Sequence, residues 1–92
     1  MDITATSNFK RRLEKLSKRN RNLTKKIDKQ LFYLATNINY PSLKLHKVNI
    51  KEKDVWSISV TGNIRIIFEF IKGGILLVDI GSHDDVYSKN SL

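Results

Sequence analysis

Cysteine is absent from the sequence. That excludes disulfides and thiolate metal sites and fits a reducing cytoplasm. Long apolar runs are absent as well: none reaches the roughly 18 residues of a membrane span. The first residues, Met1 to Thr6, lack the basic-then-apolar order of a secretory leader, so a cytoplasmic protein is expected. Histidine occurs twice, at His46 and His83. Together with Asp84 and Asp85 they match no common zinc spacing, so neither metal nor cofactor is expected. Proline occurs once, at Pro41, inside the least regular stretch, Asn37 to Asp54. With 92 residues there is room for one domain, residues 1–92, and no second core.

Acidic charge is also scarce: 9 Asp and Glu face 17 Lys and Arg, a net charge of +8. The imbalance is local. Residues 1–53 hold 14 basic and 4 acidic side chains, whereas residues 54–92 hold 3 and 5. A basic half of this kind favours nucleic acid or another polyanion as partner.

Residues 2–6 alternate in part and read as an edge strand. Ser7 or Asn8 is placed to cap a helix whose apolar face is Phe9, Leu13 and Leu16. Its other face carries Lys10, Arg11, Arg12, Lys15, Lys18 and Arg19. The pattern breaks at Arg19–Asn22. Asn22 is then placed to cap a second helix, with Leu23, Ile27, Leu31 and Leu34 as its stripe, running to about Thr36. The two form an antiparallel hairpin. A short strand is expected at residues 44–50, where Lys44 and His46 would share a face. Val55–Val60, Ile64–Ile71 and Ile75–Ile80 read as strands joined by turns at Thr61-Gly62-Asn63 and Lys72-Gly73-Gly74. Ser82 and Asp85 have the spacing of a capping box, which predicts a short helix over Asp84 to Tyr87. The order β-α-α-β-β-β is an α+β architecture, with the hairpin on one face of an antiparallel sheet. Ser57, Ser59, Arg65 and Glu69 fall on the opposite, more open face.

The chemistry-bearing residues gather near strand ends. His83 and Tyr87 follow the last strand, His46 lies in a basic segment with Lys44 and Lys47, and Arg65 interrupts a run of Ile and Phe. Histidine titrates near neutral pH and suits proton transfer, while Lys and Arg suit fixed stabilisation of developing negative charge. This set, in so basic a chain, points to work on a phosphodiester. Arg65 also has a plainer reading, as an ion pair with Glu69.

The element order, with Asn63-Ile64-Arg65-Ile66-Ile67-Phe68 and the Gly81-Ser82-His83 ending, resembles the RelE/ParE superfamily of toxin–antitoxin toxins. It is most similar to the RelE/YafQ-type messenger-RNA interferases. The resemblance covers nearly the whole chain. It implies a ribosome-dependent endoribonuclease that cuts messenger RNA without a metal, and a cognate antitoxin that neutralises it. Carried over residue by residue, His83 matches a C-terminal general acid or base and Arg65 a sheet arginine that stabilises the scissile phosphate. Tyr87 matches an aromatic that orients the nucleotide, and His46 a second histidine of the YafQ-like branch. That branch also keeps a histidine and an aspartate in the first hairpin, where this chain has Ser59 and Asn63. Lys44 and Lys47 are expected to contact phosphate. Lys10, Arg11, Arg12, Lys15, Lys18 and Arg19 are expected to contact ribosomal RNA. Two alternatives share the fold: a ParE-like DNA gyrase poison, and a toxin-fold protein whose nuclease activity has decayed.

Overall fold

A computed structural model describes residues 2–87 of the chain; Met1 and residues 88–92 of the expected domain lie outside the description. Its elements are β1 (Asp2–Ala5), α1 (Ser7–Arg19), α2 (Arg21–Thr36), a 3₁₀ turn (Pro41–Leu43), β2 (His46–Ile50), β3 (Lys53–Ser59), β4 (Ile64–Ile71), β5 (Gly74–Ser82) and α3 (His83–Tyr87). The strands form one five-stranded sheet in the order β1-β5-β4-β3-β2.

The architecture is the expected α+β one, with a difference at the edge. β1 pairs parallel to β5, with Asp2 opposite Gly74 and Ala5 opposite Leu77, so the sheet is mixed. The helical hairpin is the reason. Two antiparallel helices return the chain to the far side of the sheet, and β5 then arrives beside β1 running the same way. Gly74 makes the approach possible, because a Cβ there would collide with the backbone carbonyl of Asp2.

The helix caps sit one or two residues earlier than the sequence pattern implies. Thr6, not Ser7 or Asn8, caps α1: its Oγ1 accepts from Phe9 N–H at 3.1 Å. The same hydroxyl donates to the Val78 carbonyl, and Thr6 N–H donates to Leu77, so the strand runs into the helix with no loop between. Asn20, not Asn22, separates the helices. Its N–H donates to the Leu16 carbonyl, ending α1, and its Oδ1 accepts from Leu23 N–H, opening α2. One residue thus serves both ends and makes the hairpin sharp.

The hairpin covers one face of the sheet. Phe9, Leu23, Ile27 and Leu34 pack on Ile58, Ile66, Phe68, Ile75, Leu77 and Ile80 in one buried cluster, flanked by half-buried Leu13, Leu16, Leu31 and Trp56. A smaller cluster lies on the opposite face, where Val86 of α3 meets Ile50, Val55 and Ile67. The β4–β5 register shifts between Ile67 and Phe68: Ile67 pairs with Asp79 and Phe68 with Leu77, which leaves Val78 as a bulge. The extra residue puts Leu77 and Ile80 on the same face although they are three apart, and it sets Gly81 opposite Arg65.

α3 is short but well capped. Ser82 Oγ accepts from Asp85 N–H at 3.2 Å, and Asp85 Oδ2 accepts from Ser82 N–H at 3.4 Å. This is the reciprocal capping box, with Asp in place of the usual Glu. Beyond the end of β1, the Ile80 N–H is taken in turn by Asp79 Oδ1 at 2.8 Å. Side-chain carboxylates therefore occupy donors that the short β1 leaves unpaired.

Candidate functional site

The open face of the sheet carries His46, Ser57 and Ile67 as one cross-strand row and Ser59, Arg65 and Gly81 as the next. α3 lies against this face and brings His83 and Tyr87 over it. Together His46, Val48, Asn49, Arg65, His83 and Tyr87 line a cleft of about 360 Å³. Both histidines, the sheet arginine and the C-terminal tyrosine thus meet in one place, although 40 residues separate His46 from Tyr87.

Each group has a defined setting. His46 Nδ1 lies 3.0 Å from the carbonyl of Lys44. A carbonyl only accepts, so Nδ1 carries the proton and Nε2 is left as an acceptor when the ring is neutral. Arg65 is half-buried, and its Nη1 is fully buried with no hydrogen-bond partner among the described residues. The alternative ion pair with Glu69 does not form: four residues along one strand hold the two side chains well apart, and Glu69 pairs with Lys53 at 2.9 Å. A buried guanidinium donor without a partner is costly, which makes Arg65 a natural seat for an anion entering the cleft. The side chain of His83 is 68% exposed, and Asp84 lies 3.9 Å from its Nδ1. At that exposure the pairing is weak. Tyr87 turns its ring edge-on to His83, with centroids 4.3 Å apart, and its hydroxyl donates to Ser57 Oγ at 2.7 Å.

Other candidates lie elsewhere. Lys44 precedes β2 in a left-handed conformation (φ 48), so it does not share a strand face with His46. Lys47 pairs across from Trp56 on the helix-covered side; its Nζ lies 6.0 Å from the Trp56 ring and 3.7 Å from Asp54. Neither lysine lines the cleft. Ser59 donates to the Thr61 carbonyl and Asn63 is exposed in the turn, so neither supplies a group to the cleft.

The first-helix cations form a separate surface. Arg12, Lys15, Lys18 and Arg19 wall a groove of about 530 Å³ between α1 and the end of β5, with Leu16 and Ile80 as its apolar lining and Gly81 and the acidic Asp85 at its sheet end. They are not equivalent. Arg12 is held by the buried carboxylate of Asp79 at 3.2 Å, Lys18 by Glu14 at 3.1 Å, and Arg11 donates to Asn8 at 2.9 Å. Burial raises the Asp79 carboxyl above the usual carboxylate range and outweighs the opposing pull of Arg12, the Ile80 N–H and the Asn8 amide. Among the described residues no group of three or more His, Cys, Asp or Glu side chains is arranged to hold a metal. No helix among them is long and apolar enough to cross a membrane.

Sequence reasoning passed over Ser57, Val48 and Asn49 as parts of this site. Ser57 already stood on the open face by strand alternation. Its tie to Tyr87 depended on where α3 would land, which strand periodicity does not encode.

No protein-family model matches the sequence, and no curated protein does. Solved structures do match by fold. YafQ from E. coli aligns with a TM-score of 0.78 at 16% identity, covering 95% of this chain and 98% of that one. The E. coli DinJ–YafQ complex gives 0.76 at 17% identity, covering 95% and 98%. A YoeB/ParE toxin from Agrobacterium tumefaciens gives 0.75 at 14% identity, covering 90% and 99%. The chain has the RelE/ParE toxin fold. The alignments run nearly end to end in both partners. Fold at this identity does not by itself assign a reaction.

Proposed function

We propose that the protein is the toxin of a type II toxin–antitoxin system, a metal-independent endoribonuclease of one domain that cuts messenger RNA on the ribosome. The observation that carries this reading is the buried Nη1 of Arg65, without a hydrogen-bond partner among the described residues, in a cleft flanked by His46 and His83. Cleavage of RNA by its own 2′-hydroxyl needs a base for that proton, an acid for the leaving 5′-oxygen and a cation for the phosphorane-like charge. His46, with Nε2 free to accept, takes the first role. His83 protonates the 5′-oxygen, Arg65 receives the equatorial oxygens, and Tyr87 orients the adjoining group.

An antitoxin partner is part of the reading. Structural neighbours include the DinJ–YafQ complex and the YoeB–YefM complex from Staphylococcus aureus. On this chain an acidic, amphipathic segment is suited to the groove between α1 and β5, which has a cationic rim and an apolar lining. That segment would mask the basic face without entering the cleft.

A second reading keeps the fold and the partner but not the cutting. Ser59 and Asn63 lie outside the cleft, so among the described residues the acid–base groups that line it beside Arg65 are His46, His83 and Tyr87. One experiment separates the readings: the protein is added to a translating extract and new messenger-RNA 5′ ends are mapped. Ends that appear with the parent and vanish with His83→Ala support the nuclease. Inhibited translation with intact messenger supports binding alone, and damage to DNA supercoiling with neither change supports gyrase poisoning.

A further inference from the structure

Ser57 is fully buried on β3, one of three buried polar side chains among the described residues. It lies beside His46 on β2 and Ile67 on β4, in a row whose apolar neighbours, Val55 and Ile67, belong to the small cluster under α3. An alanine would fill that row with no polar group to satisfy, so the hydroxyl calls for a reason. Its one recorded contact with α3 is the phenol of Tyr87, which donates to Ser57 Oγ at 2.7 Å. Tyr87 in turn presents its ring to His83 at 4.3 Å, with the planes inclined by 68°.

We infer that Ser57 is a positioning residue: by holding the Tyr87 hydroxyl it fixes the tyrosine ring, and the ring fixes the imidazole of His83 over Arg65. This rests on the nuclease reading for its consequence, though not for its geometry.

The argument is one of freedom removed. α3 spans only His83–Tyr87 and rests on the sheet through buried Val86 and the half-buried ring of Tyr87, adjacent residues that both pack on the small cluster. Apolar contact at one end of the helix sets it down but does not by itself fix the orientation of the Tyr87 ring. The capping box fixes its first turn, and the Tyr87–Ser57 bond fixes its last. His83 lies four residues before Tyr87, on the same side of the helix, so a ring held at Tyr87 limits where His83 can point. His83 itself is mostly exposed, and its charged neighbour Asp84 is too exposed to hold it. The tyrosine ring is therefore the main restraint recorded on the imidazole. The bond also fixes the role of Tyr87. With its proton donated to Ser57, the phenol acts as a brace and not as the acid for the leaving group.

The test combines a structural and a kinetic readout on the full-length protein. In the NMR spectrum the ring protons of His83 carry the ring current of Tyr87, and Tyr87→Leu defines their position without it. Ser57→Ala and Tyr87→Phe should each move the His83 signals towards that position, while the shifts of the hairpin-side core stay in place. In cleavage of ribosome-bound messenger, both should lower kcat by up to about 100-fold, the scale of a misplaced catalytic group, with KM little changed. The double variant should be no worse than either single one, because both remove the same bond. Ser57→Thr, which keeps a hydroxyl, should restore most of the rate and the His83 shift. Unmoved His83 signals in Ser57→Ala, or losses that add in the double variant, overturn the inference. If the parent cuts no RNA, the functional reading has failed, and the His83 signals alone still decide whether Ser57 holds the ring.

Discussion

The two faces of the sheet are built on opposite principles. The hairpin side is made for burial: two helices with apolar stripes cover six buried strand residues, and the charges point outward. The other side is made for access: a five-residue helix covers little, and polar groups remain around a cleft. The division explains how so small a chain keeps an incompletely satisfied arginine. Most of the buried apolar residues lie on the far face and only a small cluster on the near one, which leaves the near face freer to be shaped for an anion. It also separates charge from chemistry, since the first-helix cations surround a groove at the edge of the hairpin and the histidines line the cleft.

The sharpest way to break the comparison is to remove the chemistry without touching the fold. His83→Ala should reduce messenger cleavage by about 10²–10⁴-fold, as loss of an acid–base group does, with an unchanged melting temperature because the side chain is exposed. Arg65→Lys should keep part of the activity that Arg65→Ala loses, since a point charge replaces only some of the guanidinium contacts. Cleavage assays beside thermal melts check both. A His83→Ala protein as active as the parent would remove that histidine from the mechanism. Arg65→Ala unfolding at room temperature would make the arginine part of the scaffold.

Next in size is a change that strikes the burial side. Phe9→Ala removes a fully buried aromatic from the hairpin cluster and should cost about 3–5 kcal/mol. Val86→Ala removes a smaller side chain under α3 and should cost about 1–3 kcal/mol. The contrast lies in the readout. Phe9→Ala should shift the denaturant midpoint of the whole protein, whereas Val86→Ala should loosen α3 and lower cleavage more than its stability cost implies. Equal and purely global effects would mean that the two faces unfold and function as one.

A smaller effect tests the separation of charge from chemistry. Replacing Lys10, Lys15 and Arg19 with Gln spares Arg12, Arg11 and Lys18, which have partners on the protein. Ribosome binding should weaken and its salt dependence flatten, with each lost phosphate contact reducing the log–log slope by about 0.9 on duplex-like RNA. The catalytic rate at saturating ribosome should hold. A fall in that rate with an unchanged salt slope would place the cations in the chemistry.

How far these features could be read beforehand follows the same division. The hairpin and the strands were legible because burial writes a period into the chain: Phe9, Leu13 and Leu16, then Leu23, Ile27, Leu31 and Leu34, mark one helical side each. The gathering of His46, Arg65, His83 and Tyr87 was foreshadowed by their places near strand ends and by the family resemblance. What stayed hidden depended on register. The bulge at Val78 puts Asp79 against Arg12, and nothing in a strand's alternation announces one extra residue. Thr6 and Asn20 cap because the backbone turns at those residues, and the neighbouring Ser7 and Asn22 have equally suitable side chains. Lys44 left the cleft because its backbone takes a left-handed turn that no local residue preference demanded.

The finest test concerns the Arg12–Asp79 ion pair, which joins the hairpin to the sheet edge beside α3. Asp79 is fully buried, accepts from Ile80 N–H and pairs with Arg12, yet its Oδ2 has no partner among the described residues. Burial raises its pKa above the ordinary value of 3.8, and nearby Asp85 adds to the shift. The sign follows from proton counts. Between the unfolded and folded pKa values the native state binds the proton that the unfolded chain has released, so stability falls as pH rises through the folded value. This contribution is fully present below the unfolded pKa and is lost on the way to neutrality. Asp79→Asn mimics the neutral carboxyl and removes that slope. Its melting temperature should therefore match the parent's in acid and equal or exceed it near neutral pH, and Arg12, whose side chain is 31% exposed, can turn to water. The freed Arg12 should also add slightly to RNA affinity, as one more unpaired cation on α1. Melting curves of the two proteins across that pH range decide the matter. If the parent gains on the variant as pH rises, attraction to Arg12 outweighs burial, and the pair acts as a clamp between the hairpin and the cleft side.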